Sequence, residues 1–189
     1  MKRLILKAAL LAAALAPVVT SAAEVAGVTV DDHARVGNAE LVLNGAGVRS
    51  KLFIKVYVGA LYVTAKTAAA ATLLDSGAPR RMLLRLMRDV DQKAMGEALQ
   101  DGLKNNVTDA ELAVLKPQVE QFVEILRRVG NLREADQLSL DFTADGVTVA
   151  HNGQVAGKVN GAAFARALLK VWLGDKPVDG SLKKALLGN

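Results

Sequence analysis

The chain has 189 residues, no cysteine, and 24 Lys and Arg against 19 Asp and Glu, for a formal charge of +5. The lack of cysteine excludes a disulfide framework, thiol catalysis and thiolate-ligated zinc or iron–sulfur sites. Lys2, Arg3 and Lys7 supply three of the five net charges within the first 23 residues, which hold no acid, so the remainder is near balance and lacks the strong basic bias of a nucleic-acid binder.

The N-terminus reads as a basic start, MKRLILK, a short apolar stretch interrupted by Pro17, and a small-residue site with Ser21 and Ala23 at −3 and −1. This is the tripartite pattern of a secretory signal peptide, and the apolar stretch is short for a membrane-spanning helix. The expectation is a signal peptide over 1–23, cleaved near Ala23, and a single periplasmic domain over 24–189. No later stretch approaches the ~20 apolar residues a span requires, so no stable membrane insertion is expected after signal removal.

Short β-rich runs follow at Gly27–Val30 and Ala39–Leu43, separated by Asp31, Asp32, Gly37 and Asn38. Asn44-Gly45-Ala46-Gly47 reads as a flexible loop. Lys51–Val63 reads as one long strand, which puts Tyr57 and Tyr62 on opposite faces, with Gly59 marking a bend or a close backbone approach. Thr67–Leu74 reads as a short helix and Arg80–Met87 as a strand. Asp91–Leu103 and Thr108–Val129 read as helices. The second opens on a Thr108-x-x-Glu111 capping box and carries a Val119, Phe122, Val123, Leu126, Val129 stripe; Pro117 either starts a new helix or kinks this one. Leu138–Phe142, Val147–His151 and Val155–Val159 form a meander turned at Asp145-Gly146 and Asn152-Gly153. Ala162–Leu173 and Gly180–Leu187 close the chain as helices, with Asp179 as N-cap of the last. The order predicts an α+β fold, a mainly antiparallel sheet with helices on one face.

Few residues offer chemistry. His33 and His151 are far apart and lack ligand-spaced partners, so no metal is expected. No phosphate loop or nucleophile elbow is present, and no cofactor is expected. Arg49 follows the Gly-Ala-Gly segment and opens an apolar strand. It is either a structural or surface arginine, or a guanidinium placed to hold a carboxylate or phenolate through paired charge-assisted hydrogen bonds. Trp172, at the end of an apolar helix, reads as a core anchor.

Two stretches, LNGAGVRSKLFIKVYVGALYV (43–63) and FARALLKVWLGDKPVDGSLKKALLG (164–188), resemble the chalcone isomerase superfamily, in particular its bacterial chalcone-isomerase-like branch. The resemblance covers essentially all of the chain after the signal. It implies an open-faced β-sandwich, a large antiparallel sheet covered by a layer of helices with a ligand cleft between. The plant enzymes cyclise a chalcone to a flavanone, and their catalytic arginine matches Arg49. The family's strand threonine falls on Tyr57. The tyrosine and asparagine of its central helix fall near Lys93 and Gln100, and the threonine of its late helix near Val171. Only the arginine is retained.

The resemblance also extends to fatty-acid-binding members that use the same cleft. Three readings follow. The chain is a non-catalytic binder of a fatty acid or similar amphipathic carboxylate, anchored by Arg49 and lined by Tyr57, Lys93, Gln100 and Val171. It is an intramolecular lyase or isomerase whose altered site uses Arg49 and Tyr57 as catalytic residues. Or it is an envelope interaction protein with a vestigial cleft, in which Arg49 is salt-bridged inside the fold. The expected partner is a small amphipathic ligand and not a nucleic acid; the sequence names no protein partner.

Overall fold

The computed structural model describes residues 22–189, so the expected signal peptide up to residue 21 lies outside the described residues. Its expected cleavage point, after Ala23, falls within the first strand described, β1 (Ala22–Val25), which pairs with β2 (Val28–Asp31) as a two-stranded hairpin.

A seven-stranded antiparallel sheet forms the centre. Its strands are β3 (His33–Val36), β4 (Ala39–Lys51), β5 (Ile54–Val63), β6 (Arg80–Leu86), β7 (Gln137–Thr143), β8 (Gly146–His151) and β9 (Gln154–Asn160), and they lie side by side in chain order. Helix α1 (Ala70–Asp75) joins β5 to β6, and α2 (Gln92–Asn106) and α3 (Asp109–Val129) join β6 to β7. The chain ends with α4 (Ala162–Leu173) and α5 (Gly180–Leu186).

Strand alternation assigns the two faces. Tyr57, Leu61, Met82, Leu84, Leu138, Leu140 and Phe142 turn to one side, where they form the larger core with Phe122, Ile125, Phe164, Leu168 and Trp172 of the helices. Val58, Ala60 and Tyr62 turn to the other, where the β1–β2 hairpin covers them with Val25, Val28 and Val30. Tyr57 and Tyr62 therefore lie on opposite faces, as their spacing requires. The α+β, helix-covered antiparallel sheet is the architecture that the sequence predicts. No helix among the described residues is long and apolar enough to cross a membrane.

Three local expectations are corrected. The segment Asn44–Gly47 is no loop but the middle of the 13-residue β4. Its glycines serve a close approach: a Cβ on Gly45 would overlap the Ala185 carbonyl oxygen, and one on Gly47 would stand 2.6 Å from the Ala185 Cβ. Helix α5 is let down onto bare backbone there. Secondly, Lys51–Val63 is not one strand. The chain reverses at Leu52 and Phe53, whose φ angles are +49° and +67°, between the paired residues Lys51 and Ile54. Thirdly, Thr67 does not start α1. Its N–H donates to Asn44 Oδ1 (2.8 Å), while Asn44 Nδ2 donates to the carbonyls of Thr67 (3.1 Å) and Leu186 (2.7 Å). Asn44 thus ties β4 to the end of α5 and to the segment before α1.

Helix α3 begins with the expected reciprocal box between Thr108 and Glu111 and runs through Pro117 as one element, with the proline exposed. Asp179 caps α5 as expected, accepting from Ser181 N (2.8 Å) and Leu182 N (3.0 Å).

Candidate functional site

Arg49, near the end of β4, is the register partner of Tyr57 on β5. Arg49 lies two residues after Gly47, and Tyr57 two residues before Gly59, the register partner of Gly47, so all four share the helix-covered face. The Arg49 guanidinium carbon lies 5.6 Å from the centre of the Tyr57 ring, within cation–π range. Behind it, the Tyr57 hydroxyl accepts a hydrogen bond from Trp172 Nε1 of α4 at 2.9 Å. Burial pushes the Tyr57 phenol up to about 12; the Arg49 charge and the Trp172 bond oppose this, and Asp179 adds to it. Tyr57 is therefore a neutral phenol at physiological pH and no base.

The guanidinium itself lacks a partner. Arg49 takes part in none of the ion pairs among the described residues, and its buried Nε has no hydrogen-bond acceptor. The nearby Asp179 carboxylate is occupied by the N-terminal amides of α5 and by Ser50 N (3.2 Å).

A cleft of about 300 Å³ opens beside Arg49. Its walls are Leu52, Ile54 and Val56 on one side and Val90, Ala94, Met95 and Ala98 on the other. Lys51 and Arg88 add positive charge, and Asp89 and Asp91 are the acids. Both acids are engaged by backbone: Asp91 caps α2, accepting from Lys93 N (2.9 Å) and Ala94 N (3.2 Å), and Asp89 accepts from Glu134 N (2.8 Å). A further space of about 190 Å³ borders the other side of Arg49, between α2 and the Lys176–Val178 segment. The arrangement, an apolar cleft with a free guanidinium and two further cations, suits an anion with an apolar body.

Another cleft, of about 370 Å³, lies between α3 and α4. Its charged groups are committed elsewhere: Glu111 to the α3 cap, Arg166 to Asp75 (2.7 Å) and Lys170 to the Asn106 carbonyl (3.4 Å). The Arg49 cleft alone of these two offers an unpaired anchor.

The other predicted ligand contacts sit apart from it. Tyr57 lies beneath Arg49 rather than in the cleft wall, buried at 3% exposure. Lys93 is on the exposed side of α2, its Nζ 3.9 Å from Glu97 Oε1. Gln100 is half-buried and does not line the cleft. The cleft face of α2 follows Ala94 and Ala98, and Asp101 borders the neighbouring space, so the positions one residue beyond Lys93 and Gln100 face Arg49. Val171 is fully buried against α2; a Cβ on Gly102 would come within 2.7 Å of its Cγ1. Trp172 is the expected core anchor, with the added role of holding Tyr57. No group of His, Asp and Glu suited to a metal occurs among the described residues. Sequence reasoning missed Arg88 and Lys51; the adjacent exposed charges of a hairpin tip and a strand end carry no motif by which to find them.

The sequence model described as chalcone isomerase-like matches residues 22–188. The chain belongs to the chalcone isomerase-like family. Among curated proteins no sequence matches. Among solved structures, a fatty-acid binding protein of Arabidopsis thaliana superposes with a TM-score of 0.67 at 16% identity, covering 85% of this chain and 92% of that one. At that identity the likeness establishes the fold, the helix-covered antiparallel sheet of a chalcone isomerase-like protein, over nearly the whole of both chains.

Proposed function

We propose that this chalcone isomerase-like protein is a non-catalytic binder of a small amphipathic carboxylate, of which a fatty acid is the model, and that Arg49 holds the carboxylate. The observation that carries the reading is the unpaired Arg49 guanidinium at the wall of an apolar cleft. A buried donor left without an acceptor, as Arg49 Nε is, costs about 1–3 kcal/mol, and a carboxylate that accepts from Nε and a terminal guanidinium nitrogen removes that cost. The apolar chain then lies against Leu52, Ile54, Val56, Val90 and Met95. Tyr57 is a positioning residue: its ring supports the guanidinium from below. The structural relative from Arabidopsis thaliana, a fatty-acid binding protein, supports the same ligand class. The cleft's volume is at the lower end of the ~300–1,000 Å³ usual for ligand sites, which favours a slender chain over a polycycle.

Export belongs to the proposal. The basic, apolar and small-residue pattern of residues 1–23 supports a signal peptide and a periplasmic protein. A vestigial cleft fits less well, because that reading needs Arg49 ion-paired within the fold.

Native mass spectrometry of the purified protein, with titration of fatty acids of graded length, tests the binding reading. The expected result is one ligand per chain and affinity reduced at least about tenfold in Arg49→Ala, the scale of a lost charge-assisted pair. Absence of binding, or binding indifferent to Arg49→Ala, would overturn it.

A further inference from the structure

The β4–β5 turn conflicts with its own sequence. Two-residue hairpin turns with positive φ at both central positions favour Asn-Gly, because bulky side chains are strained there. Here the two positions are Leu52 and Phe53, at φ +49° and +67°. Their side chains gain nothing from the fold in return: Leu52 is 83% exposed and Phe53 fully exposed, and Ile54 beside them is half exposed. Three consecutive apolar residues thus project from the end of the hairpin. Strained, solvent-facing residues of this kind mark functional surfaces.

The surroundings specify the partner. Lys51 and Lys55 flank the apolar tip, both exposed, and Arg88 stands exposed near the same edge. The acids next to Arg88, Asp89 and Asp91, are turned to backbone amides. An apolar wedge collared by cations complements the interface of an anionic bilayer, where the side chains enter the acyl boundary and the ammonium groups remain among the headgroups. The tip is also continuous with the cleft: Lys51, Leu52 and Ile54 line it. We infer that the Lys51–Lys55 hairpin tip docks the protein peripherally on an anionic lipid surface, with the mouth of the Arg49 cleft held against the membrane. The docking is a separate property from ligand binding and does not require the cleft to be filled.

Residues 22–189 contain both hydrophobic cores and all the elements described above, and this span is the material for the test. Sedimentation with vesicles of equal parts phosphatidylcholine and phosphatidylglycerol is compared with phosphatidylcholine alone. Wild type is expected to bind the anionic vesicles and to be released by salt. Leu52→Asn with Phe53→Gly installs the favoured turn pair, so the urea midpoint is expected to hold or rise while vesicle affinity falls by about tenfold or more. Lys51→Gln with Lys55→Gln is expected to remove about tenfold at low salt and to flatten the salt dependence. No sedimentation of wild type would overturn the inference, as would unchanged sedimentation of the folded turn variant. Tip-dependent dimerisation by ultracentrifugation without vesicle binding would overturn it in favour of a second copy of the chain. Fatty-acid titration of Phe53→Gly alone, whose side chain does not line the cleft, separates the two proposals, since a ligand held by Arg49 remains bound when docking is weakened.

Discussion

Arg49 stands directly across the β4–β5 ladder from Tyr57, its guanidinium 5.6 Å from the ring centre, while the Tyr57 hydroxyl accepts a 2.9 Å hydrogen bond from Trp172. The three side chains link the cleft wall to the most buried helix of the fold. The tyrosine acts in two separable ways, through its ring toward Arg49 and through its hydroxyl toward Trp172. Tyr57→Phe keeps the ring and strands the buried indole N–H, so urea denaturation is expected to register a loss of about 1–3 kcal/mol while fatty-acid affinity stays within about twofold. Tyr57→Leu removes the ring as well, and affinity is expected to fall further than stability accounts for. Equal affinities in the two variants would remove Tyr57 from the site.

The chain has two tyrosines, and both are held up to about 12, in each case chiefly by burial. A raised folded-state value means that the folded state retains its proton after the unfolded state has lost it. Stability is thus fully present below about pH 10 and declines between pH 10 and 12 as the unfolded tyrosines ionise. For each ring the difference corresponds to roughly 3 kcal/mol at most. Absorbance at tyrosinate wavelengths is expected to stay flat through pH 10 in buffer and then to rise together with the loss of helical circular dichroism. In denaturant the same signal rises near pH 10. A simple titration near pH 10 in the folded protein would show that one of the rings is accessible.

Helix α5 rests on the bare backbone of β4, where a Cβ on Gly45 would overlap the Ala185 carbonyl and one on Gly47 would press on Ala185. Neither residue has positive φ, so the requirement is space. Gly47→Val is expected to cost about 1–3 kcal/mol or more through overpacking. Because Asp179 at the head of α5 also bonds Ser50 N beside Arg49, lifting the helix loosens the site. Hydrogen exchange is expected to show α5 amides losing protection well before those of β7 and β8. Uniform loss across the sheet would mean that α5 does not open separately.

The contrast between regions explains what the sequence alone could reveal. The meander of β7, β8 and β9, the capping box of α3 and the Asp179 cap were legible because local chemistry and global fold agree there: turn dipeptides tolerate the required φ, and capping side chains sit at their ordinary spacing. The β4–β5 hairpin was not legible. Its turn is made of Leu52 and Phe53, two good strand formers, and its central strand contains an Asn-Gly-Ala-Gly run that carries every local sign of a loop. Both misreadings have a long-range cause, α5 docking on the glycines and the outward projection of the apolar tip. Arg49 was identifiable from its neighbours in sequence. Its unpaired state depends on the occupation of Asp179 by α5, some 130 residues away, which no local pattern encodes. On α2 a one-residue phase separates Lys93 from Ala94 and Gln100 from Asp101, the positions that face Arg49, a difference that helical periodicity converts into about 100° of rotation.

That phase bears on catalysis. Cyclising a hydroxychalcone needs the phenolate and the enone held in register and the developing enolate stabilised by positioned donors. Arg49 can bind the phenolate, but the other cations of the cleft, Lys51 and Arg88, are solvent-exposed, and Leu52, Ile54, Val56, Val90, Ala94, Met95 and Ala98 donate no side-chain hydrogen bond. Tyr57 is sealed beneath the guanidinium, and Val171 is closed into the core without a hydroxyl. The decay of chalcone absorbance is therefore expected to proceed at the uncatalysed rate in the presence of the protein, and to be indifferent to Arg49→Ala. Added fatty acid is expected to leave it unchanged as well. An acceleration abolished by Arg49→Ala and inhibited by fatty acid would place an active lyase site in the same cleft, with Arg49 as its catalytic residue, and would show that one guanidinium in an apolar cleft is enough to support the ring closure.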